Sequence, residues 1–526
     1  MLILVLAALV VAAPTTPNVL PARRCTPPGC SPRALEAAPT VHAPVGTVEG
    51  ITDPATPSVD RFLGIPFAQP PLGPLRFSPP QKLESLPSSP FDASHPPASC
   101  MQFLFEKTIY TQDILEFNLQ GLNDTSAAVS EDCLTLDVYT PTPGESSPTD
   151  QKLPVIVFLY GGGFAMGGAD IPYQIPAKWV QRTQKHIVVV PNYRLNIFGF
   201  PHAAGMQGES QNLGLLDQRL AIEWVRDNIA AFGGDPQRIA LWGQSAGAVS
   251  AGFYQYAWDE DPIIDAVMMD SGSEFLGAAV QATQDVKFSN FTTVAKGVGC
   301  GELGPVEELE CMRGKDAKAI ENVIQTHNQK MKPPLLIFTP VVDGVTVFDD
   351  YAVRGQQGRM AKVPAIIGTN VNDGSAFVPV GANGGGGNQT LANAVGLLFF
   401  DCPALKSDVT RIAAGAPVYR YLYAGNFTNI SPKPFLGAYH EAELPLLFGT
   451  FEDFRGGATE QERETSVAMQ DSWLALASSG VAGMEEVGWP RYTGLGGEVR
   501  EFGGPSVVRD ISTSAMDATC PAFFQP

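Results

Sequence analysis

FGGDPQRIALWGQSAG, residues Phe232 to Gly247, is the stretch from which the fold of this chain can be read. Ile239 to Trp242 is a short apolar run expected to form a buried strand, and a helical pattern resumes from Ser250. Between them Gly243-Gln244-Ser245-Ala246-Gly247 sets one serine on a tight strand-to-helix turn. A backbone strained in this way leaves no space for side chains two positions before and after the serine, which accounts for the flanking glycines. Ser245 is therefore the candidate nucleophile. A G-x-S-x-G also arises by chance in a chain with 53 glycines, so its meaning depends on its surroundings.

Upstream and downstream, strands and helices alternate in the manner of an α/β fold. Leu134 to Tyr139, Val155 to Tyr160 and Ile187 to Val190 read as strands, Ala177 to Gln184 as a helix, and Ala266 to Met269 and Ala365 to Ile367 as further strands. Leu216, Leu220, Trp224 and Val225 recur at helical spacing within a helix expected over 213–230. From Val45 short alternating runs suggest antiparallel strands at the sheet edge, and Pro70 to Pro80 an extended connection. No internal repeat or linker divides the chain, so residues 41–526 are expected to form one α/β domain: a large, mostly parallel central sheet with helices on both faces.

The ends and the composition point to export. Residues 1–13 read as a signal peptide, with an uncharged run from Leu2 to Ala13 that is too short to span a bilayer. Residues 14–40 form a proline-rich, irregular lead-in. Eight cysteines without CxxC pairs favour disulfides over zinc, and N-x-S/T acceptors at Asn123, Asn290, Asn388, Asn426 and Asn429 fit a secreted glycoprotein. Fifty-four acidic against 34 basic residues give a net charge of −20, which repels nucleic acid and offers an anionic membrane no attraction. No further run resembles a membrane anchor. The glycine run Gly384 to Gly387 lacks the Lys-Ser/Thr of a phosphate-binding loop, so no nucleotide is implied.

A serine hydroxyl needs a base, and the base needs a carboxylate to fix its tautomer. Where a serine turn of this kind heads an α/β-hydrolase sheet, the chain order is serine, acid, histidine. That order leaves two of the six histidines: His327 in a polar helical pattern, and His440, favoured by its glycine-containing loop. Asp373 in GTNVNDGS and Asp343 in VVDG both follow apolar runs, and either could instead cap a turn. Tyr160-Gly161-Gly162-Gly163-Phe164 follows a buried strand with the glycine-rich character of an oxyanion loop, and Ala246 adds a third N–H.

With these pieces the chain resembles the type-B carboxylesterase/lipase family, which includes cholinesterases, carboxylesterases and secreted fungal lipases. Phe232 to Gly247 and EDCLTLDVYTP, Glu131 to Pro141, carry the match. GIPFAQPPLGPLRF, PNYRLNIFGF, NLGLLDQRLAIEWV, MDSGS, LGAYHEAELPLLFG and GWPRY extend it over nearly all of residues 42–495. The resemblance implies Ser245 as nucleophile, Asp373 as acid, His440 as base, and Gly162, Gly163 and Ala246 as the oxyanion hole, with no metal or organic cofactor. It also implies disulfides Cys100–Cys133, Cys300–Cys311 and Cys402–Cys520, leaving Cys25 and Cys30 over, and an Arg76–Glu131 ion pair that would be weak at a surface.

This chain departs from the family pattern in several places. Asp373 stands where most members have Glu, Gln244 replaces the usual Glu before the serine, and the segment between Gly374 and Cys402 is shorter. The Cys100–Cys133 loop has no Trp, which removes a choline-binding reading. The expectation is a secreted ester hydrolase acting on a small-molecule or lipid ester through an acyl-enzyme, carboxylesterase before lipase, with residues 101–132 as a candidate lid. The competing class is a catalytically silent adhesion or binding protein, against which the intact serine, histidine and acid stand.

Overall fold

The computed structural model describes residues 38–102, 129–143, 152–276, 285, 287–330, 335–378, 386–431, 433–453 and 455–520. The expected signal peptide, most of the lead-in with Cys25 and Cys30, Asn123 and most of the candidate lid lie outside them.

Among the described residues eleven strands form the central sheet: β1 (Ile51–Thr52), β2 (Val59–Pro66), β3 (Thr135–Pro141), β4 (Leu153–Leu159), β5 (Ile187–Pro191), β6 (Gly234–Gln244), β7 (Ala266–Asp270), β8 (Ala365–Asn370), β9 (Val418–Tyr423), β10 (Glu498–Phe502) and β11 (Val508–Ser512). Their spatial order is β11-β10-β9-β8-β7-β6-β4-β5-β3-β2-β1. From β5 across to β10 every pairing is parallel, whereas β1, β2, β3 and β11 join antiparallel at the two edges. Successive strand residues point to opposite faces, and every residue of β5, β7 and β8 is buried. Both faces of the sheet are therefore covered, which explains why these strands are continuous apolar runs without alternation. The alternating residues ahead of β1 pair separately, Thr40–Ala43 with Gly46–Glu49, in a small three-stranded sheet.

Among the covering helices are α1 (Ala177–Thr183), α2 (Leu213–Asn228), α3 (Ala246–Ala257), α4 (Ala317–Gln329), α5 (Gln389–Gly396), α6 (Cys402–Ala413) and α7 (Glu460–Glu486). Of the apolar stripe of α2, Leu220, Trp224 and Val225 are buried and Leu216 is partly buried. Helix α7 opens with a complete capping box, Thr459 Oγ1 accepting from the Glu462 N–H and Glu462 answering at Thr459 N–H. Trp242 on β6 packs against Phe158 and Phe448 at ring separations of 4.3 and 4.9 Å, and those two rings touch each other at 5.0 Å. No helix among the described residues is long and apolar enough to cross a membrane.

Among the described residues three disulfides join Cys100 to Cys133, Cys300 to Cys311 and Cys402 to Cys520. The last closes 118 residues and ties the C-terminal segment to the start of α6. On the chain-entropy model a closure of that length is worth about 5 kcal/mol.

One expectation needs correction. Arg76 and Glu131 do not make a surface pair: their side chains are only 7% and 11% exposed. Arg76 donates to Glu131 from Nε and Nη2, each at 2.6 Å, and from Nη1 to the carbonyls of Met312 and Lys315. The pair thus stitches the base of the Cys100–Cys133 loop to the chain after Cys311, and losing one partner would strand a buried charge. Two of the glycan acceptors are also enclosed. Asn290 Nδ2, the atom that would carry a sugar, donates to Ile337 O at 3.1 Å, and Asn429 Nδ2 donates to Phe451 O and Glu462 Oε1. Asn388 and Asn426 are exposed.

Candidate active site

Ser245 sits between the last residue of β6 and the first of α3 with φ 54° and ψ −121°, a backbone conformation that costs a non-glycine residue on the order of 1–3 kcal/mol. Its surroundings hold it there. Its N–H donates to Asp270 O at 2.8 Å, and its carbonyl accepts from Val249 N at 2.9 Å. A Cβ on Gly243 would lie 2.2 Å from Gly247 O, and one on Gly247 would lie 1.9 Å from Leu159 O. The glycines therefore let the turn close against itself and against the end of β4. Gln244 and Ala246 are buried, while Ser245 is partly exposed.

The YGGGF loop runs off β4 past this turn. A Cβ on Gly161 would stand 2.9 Å from Ser245 Cβ. Gly162 and Gly163 have φ of 107° and 64°, values that favour glycine. Among the described residues no backbone acceptor takes the N–H of either glycine, and Ala246, as the first residue of α3, has an N–H with no intrahelical partner. These three N–H groups, one of them on the residue next to the serine, are thus without a backbone acceptor among the described residues.

Asp373 and His440 meet from different parts of the chain. Asp373 opens a short helical turn three residues after β8, and His440 lies in the loop between β9 and Leu444–Phe448. His440 Nδ1 lies 2.8 Å from Asp373 Oδ1, with both side chains 1% exposed. Asp373 Oδ2 accepts from Ser271 Oγ at 3.0 Å and from Asn370 N at 2.8 Å. The carboxyl is thus bound by three donors and offers the imidazole an acceptor, so the ring carries its proton on Nδ1 and leaves Nε2 as a lone pair. Nε2 lies 3.2 Å from Gln244 Nε2.

The two rivals stand elsewhere. Asp343 caps its own turn, Oδ1 accepting from the N–H groups of Val345, Thr346 and Val347, and Oδ2 from Ser210 and Thr346 hydroxyls. His327 lies in the last turn of α4.

Several residues at the site carried no separable signal in the sequence. Ser271 and Asn370 fix the Asp373 carboxyl, and both lie at strand ends in MDSGS and GTN. Phe400 reaches His440 through a single π turn, Leu397–Asp401, inserted between α5 and α6. Its ring lies 4.6 Å from the imidazole, and Phe377 lies 5.0 Å from it. Behind Asp373, burial pushes Asp270 up to about 7, with the Asp373 charge adding to the effect. Burial also pushes Asp401 up to about 6 and lifts Glu443 well above the usual carboxyl range. Acids forced toward neutrality in this way spare the site a pile of buried negative charge.

Comparison with known proteins assigns the family. The carboxylesterase family model matches residues 37–393 and 382–515. Secreted lipase 5 of Gibberella zeae is 42% identical over 490 residues, covering 88% of this chain and 91% of the relative. Chlorogenic acid esterase of Aspergillus niger is 42% identical over 444 residues, 84% of this chain and 83% of the relative. Mouse cholinesterase is 34% identical over 345 residues, 64% of this chain and 54% of the relative. On this match, and on its parallel sheet with a glycine-flanked serine turn, the chain belongs to the carboxylesterase family of α/β-hydrolases and is a carboxylic ester hydrolase of the carboxylesterase/lipase type.

Proposed function

We propose that the protein is a secreted serine ester hydrolase with Ser245 as nucleophile, His440 as base, Asp373 as the acid that orients it, and the N–H groups of Gly162, Gly163 and Ala246 as the oxyanion hole. The observation that carries this reading is the buried 2.8 Å contact of His440 Nδ1 with Asp373 Oδ1, which leaves Nε2 basic. Ser245 gives its proton to Nε2 as Oγ attacks the ester carbonyl, and the three N–H groups receive the oxyanion. Nε2–H then protonates the departing alcohol, and the acyl group remains on Ser245. Water, deprotonated by the same nitrogen, attacks the acyl-enzyme and releases the acid.

The reading favours soluble carboxylic esters over emulsified lipid. One 42% identical relative is named for a soluble ester, chlorogenic acid, and the other as a lipase. Large apolar side chains that are exposed among the described residues fall singly or in pairs along the chain, without forming a long apolar run. Secretion is supported by the apolar run at residues 2–13 and by the name of the lipase relative.

The test is hydrolysis of p-nitrophenyl esters of increasing chain length, below and above their solubility limits. Ser245→Ala is expected to reduce the rate to the uncatalysed background, and the wild-type protein to show no jump at the solubility limit. Unchanged hydrolysis by the variant refutes the nucleophile, and a jump at the limit replaces the esterase reading with a lipase.

A further inference from the structure

We infer that Gln244 is a positioning residue for His440, a second partner of Nε2 whose carboxamide turns over when the imidazole takes up a proton. The inference rests on the catalytic reading of Ser245 and His440 above. Gln244 is fully buried, its Nε2 lies 3.2 Å from His440 Nε2, and its Oε1 is buried with no hydrogen-bond partner among the described residues.

The chemistry of the ring decides which end of the amide it can face. Asp373 accepts at Nδ1, so in the neutral ring Nε2 is a bare lone pair, and Gln244 must offer it the NH2 group. When Ser245 attacks, its O–H bond breaks and the proton forms an N–H bond at Nε2. That nitrogen is now a charged donor, and the NH2 of Gln244 faces it with a second donor. A half-turn about the last side-chain torsion brings Oε1 to the ring and replaces the clash with a charge-assisted hydrogen bond.

The site has the room and the rigidity for this turn. A Cβ on Gly161 would stand 2.4 Å from Gln244 Oε1, so the glycine keeps the outer end of the amide clear. Because that outer end has no hydrogen-bond partner among the described residues, turning it over breaks no bond that they make there. Phe400 and Phe377 pack against the imidazole and keep Nε2 from swinging away from Gln244. A carboxylate at this position could accept from the charged ring but could offer nothing to the neutral one, whereas glutamine serves both forms.

The bond to the charged ring is the stronger of the two, so on balance Gln244 favours the protonated imidazole. The other carboxyls around the ring, Asp373 at Nδ1 with Asp270, Asp401 and Glu443 behind it and Glu441 next in the chain, are the same in every variant below.

The experiment compares pH profiles of kcat/KM for the full chain with Gln244→Met, Gln244→Asn and Gln244→Glu, with Ser245→Ala as control. Methionine fills the space without hydrogen bonding, and asparagine is one methylene short of the ring. In both, the acid limb is expected to move to lower pH by at least about 0.5 unit and the plateau to fall about tenfold, with KM within about twofold. In Gln244→Glu the limb is expected to move to higher pH by about one unit. Limbs that stay in place in all three variants overturn the proposal whatever happens to the plateau, as does a limb that rises in Gln244→Met. Should Gln244→Met not fold, Gln244→Asn reads the same shift. Hydrolysis retained in Ser245→Ala removes the catalytic reading and this inference with it, whereas an inactive Ser245→Ala with unmoved limbs removes this inference alone.

Discussion

Asp373→Asn separates a catalytic carboxyl from a structural one, because the structure dictates how an asparagine would sit. Oδ2 of Asp373 faces two donors, Ser271 Oγ at 3.0 Å and Asn370 N at 2.8 Å, and Oδ1 faces His440 Nδ1 at 2.8 Å. Asparagine has one oxygen, which belongs on the two-donor side, so its NH2 turns toward His440. Nδ1 must then accept, the ring proton moves to Nε2, and Nε2 can no longer take the proton of Ser245. All three hydrogen bonds survive, the one to His440 with donor and acceptor exchanged, so stability should change by less than about 1 kcal/mol. The rate should fall by about 10⁴, equivalent to a barrier raised by about 5 kcal/mol. Steady-state hydrolysis of p-nitrophenyl butyrate beside a thermal melt reads both quantities. A loss of less than tenfold in a variant that melts with the wild type would refute the role given to Asp373.

Asp343→Asn is the matching control: its turn-capping bonds are local, so kcat/KM should stay within about twofold while the melting temperature drops. Glu321 on α4 is pushed up to about 8 by burial, against an ordinary value of 4.5. A raised acid contributes stability that is present below its unfolded value and lost as pH rises through the folded one. Glu321→Gln, which keeps an oxygen for Asn196 Nδ2, should therefore melt close to the wild type at pH 5 and be more stable at pH 9 by up to about 4 kcal/mol. For the folded protein secreted from a eukaryotic host, deglycosylation followed by peptide mass spectrometry should find sugar on Asn388 or Asn426 among the described acceptors. It should find none on Asn290 or Asn429, whose Nδ2 atoms are bonded inside.

Much of the site was legible because its constraints are local. The turn at Ser245 demands glycines within two residues on either side, and the YGGGF loop demands left-handed backbone at consecutive positions, so both leave a mark in the sequence. The acid left a weaker mark. Asp343 and Asp373 both follow apolar runs, and what separates them is a histidine 67 positions away for one, and a turn of its own with the Ser210 hydroxyl for the other. Ser271 and Asn370 escaped for the same reason, since their bonds to Asp373 depend on strand ends that meet only in the folded sheet. Phe400 depends on one π turn, which has no periodic signature. The Arg76–Glu131 pair was misplaced at the surface because charge alone suggests exposure, whereas two backbone carbonyls complete the arginine inside. The N-x-S/T pattern, likewise, says nothing about which side chains point inward.

Active-site labelling tests the proposed nucleophile most directly. Purified full-length protein treated with a fluorophosphonate and digested for peptide mass spectrometry should carry one label per chain, on Ser245, with ester hydrolysis lost in proportion to labelling and no label taken up by His440→Ala. Hydrolysis that persists in fully labelled protein, or a label that inactivates from any other serine, would contradict the assignment of Ser245.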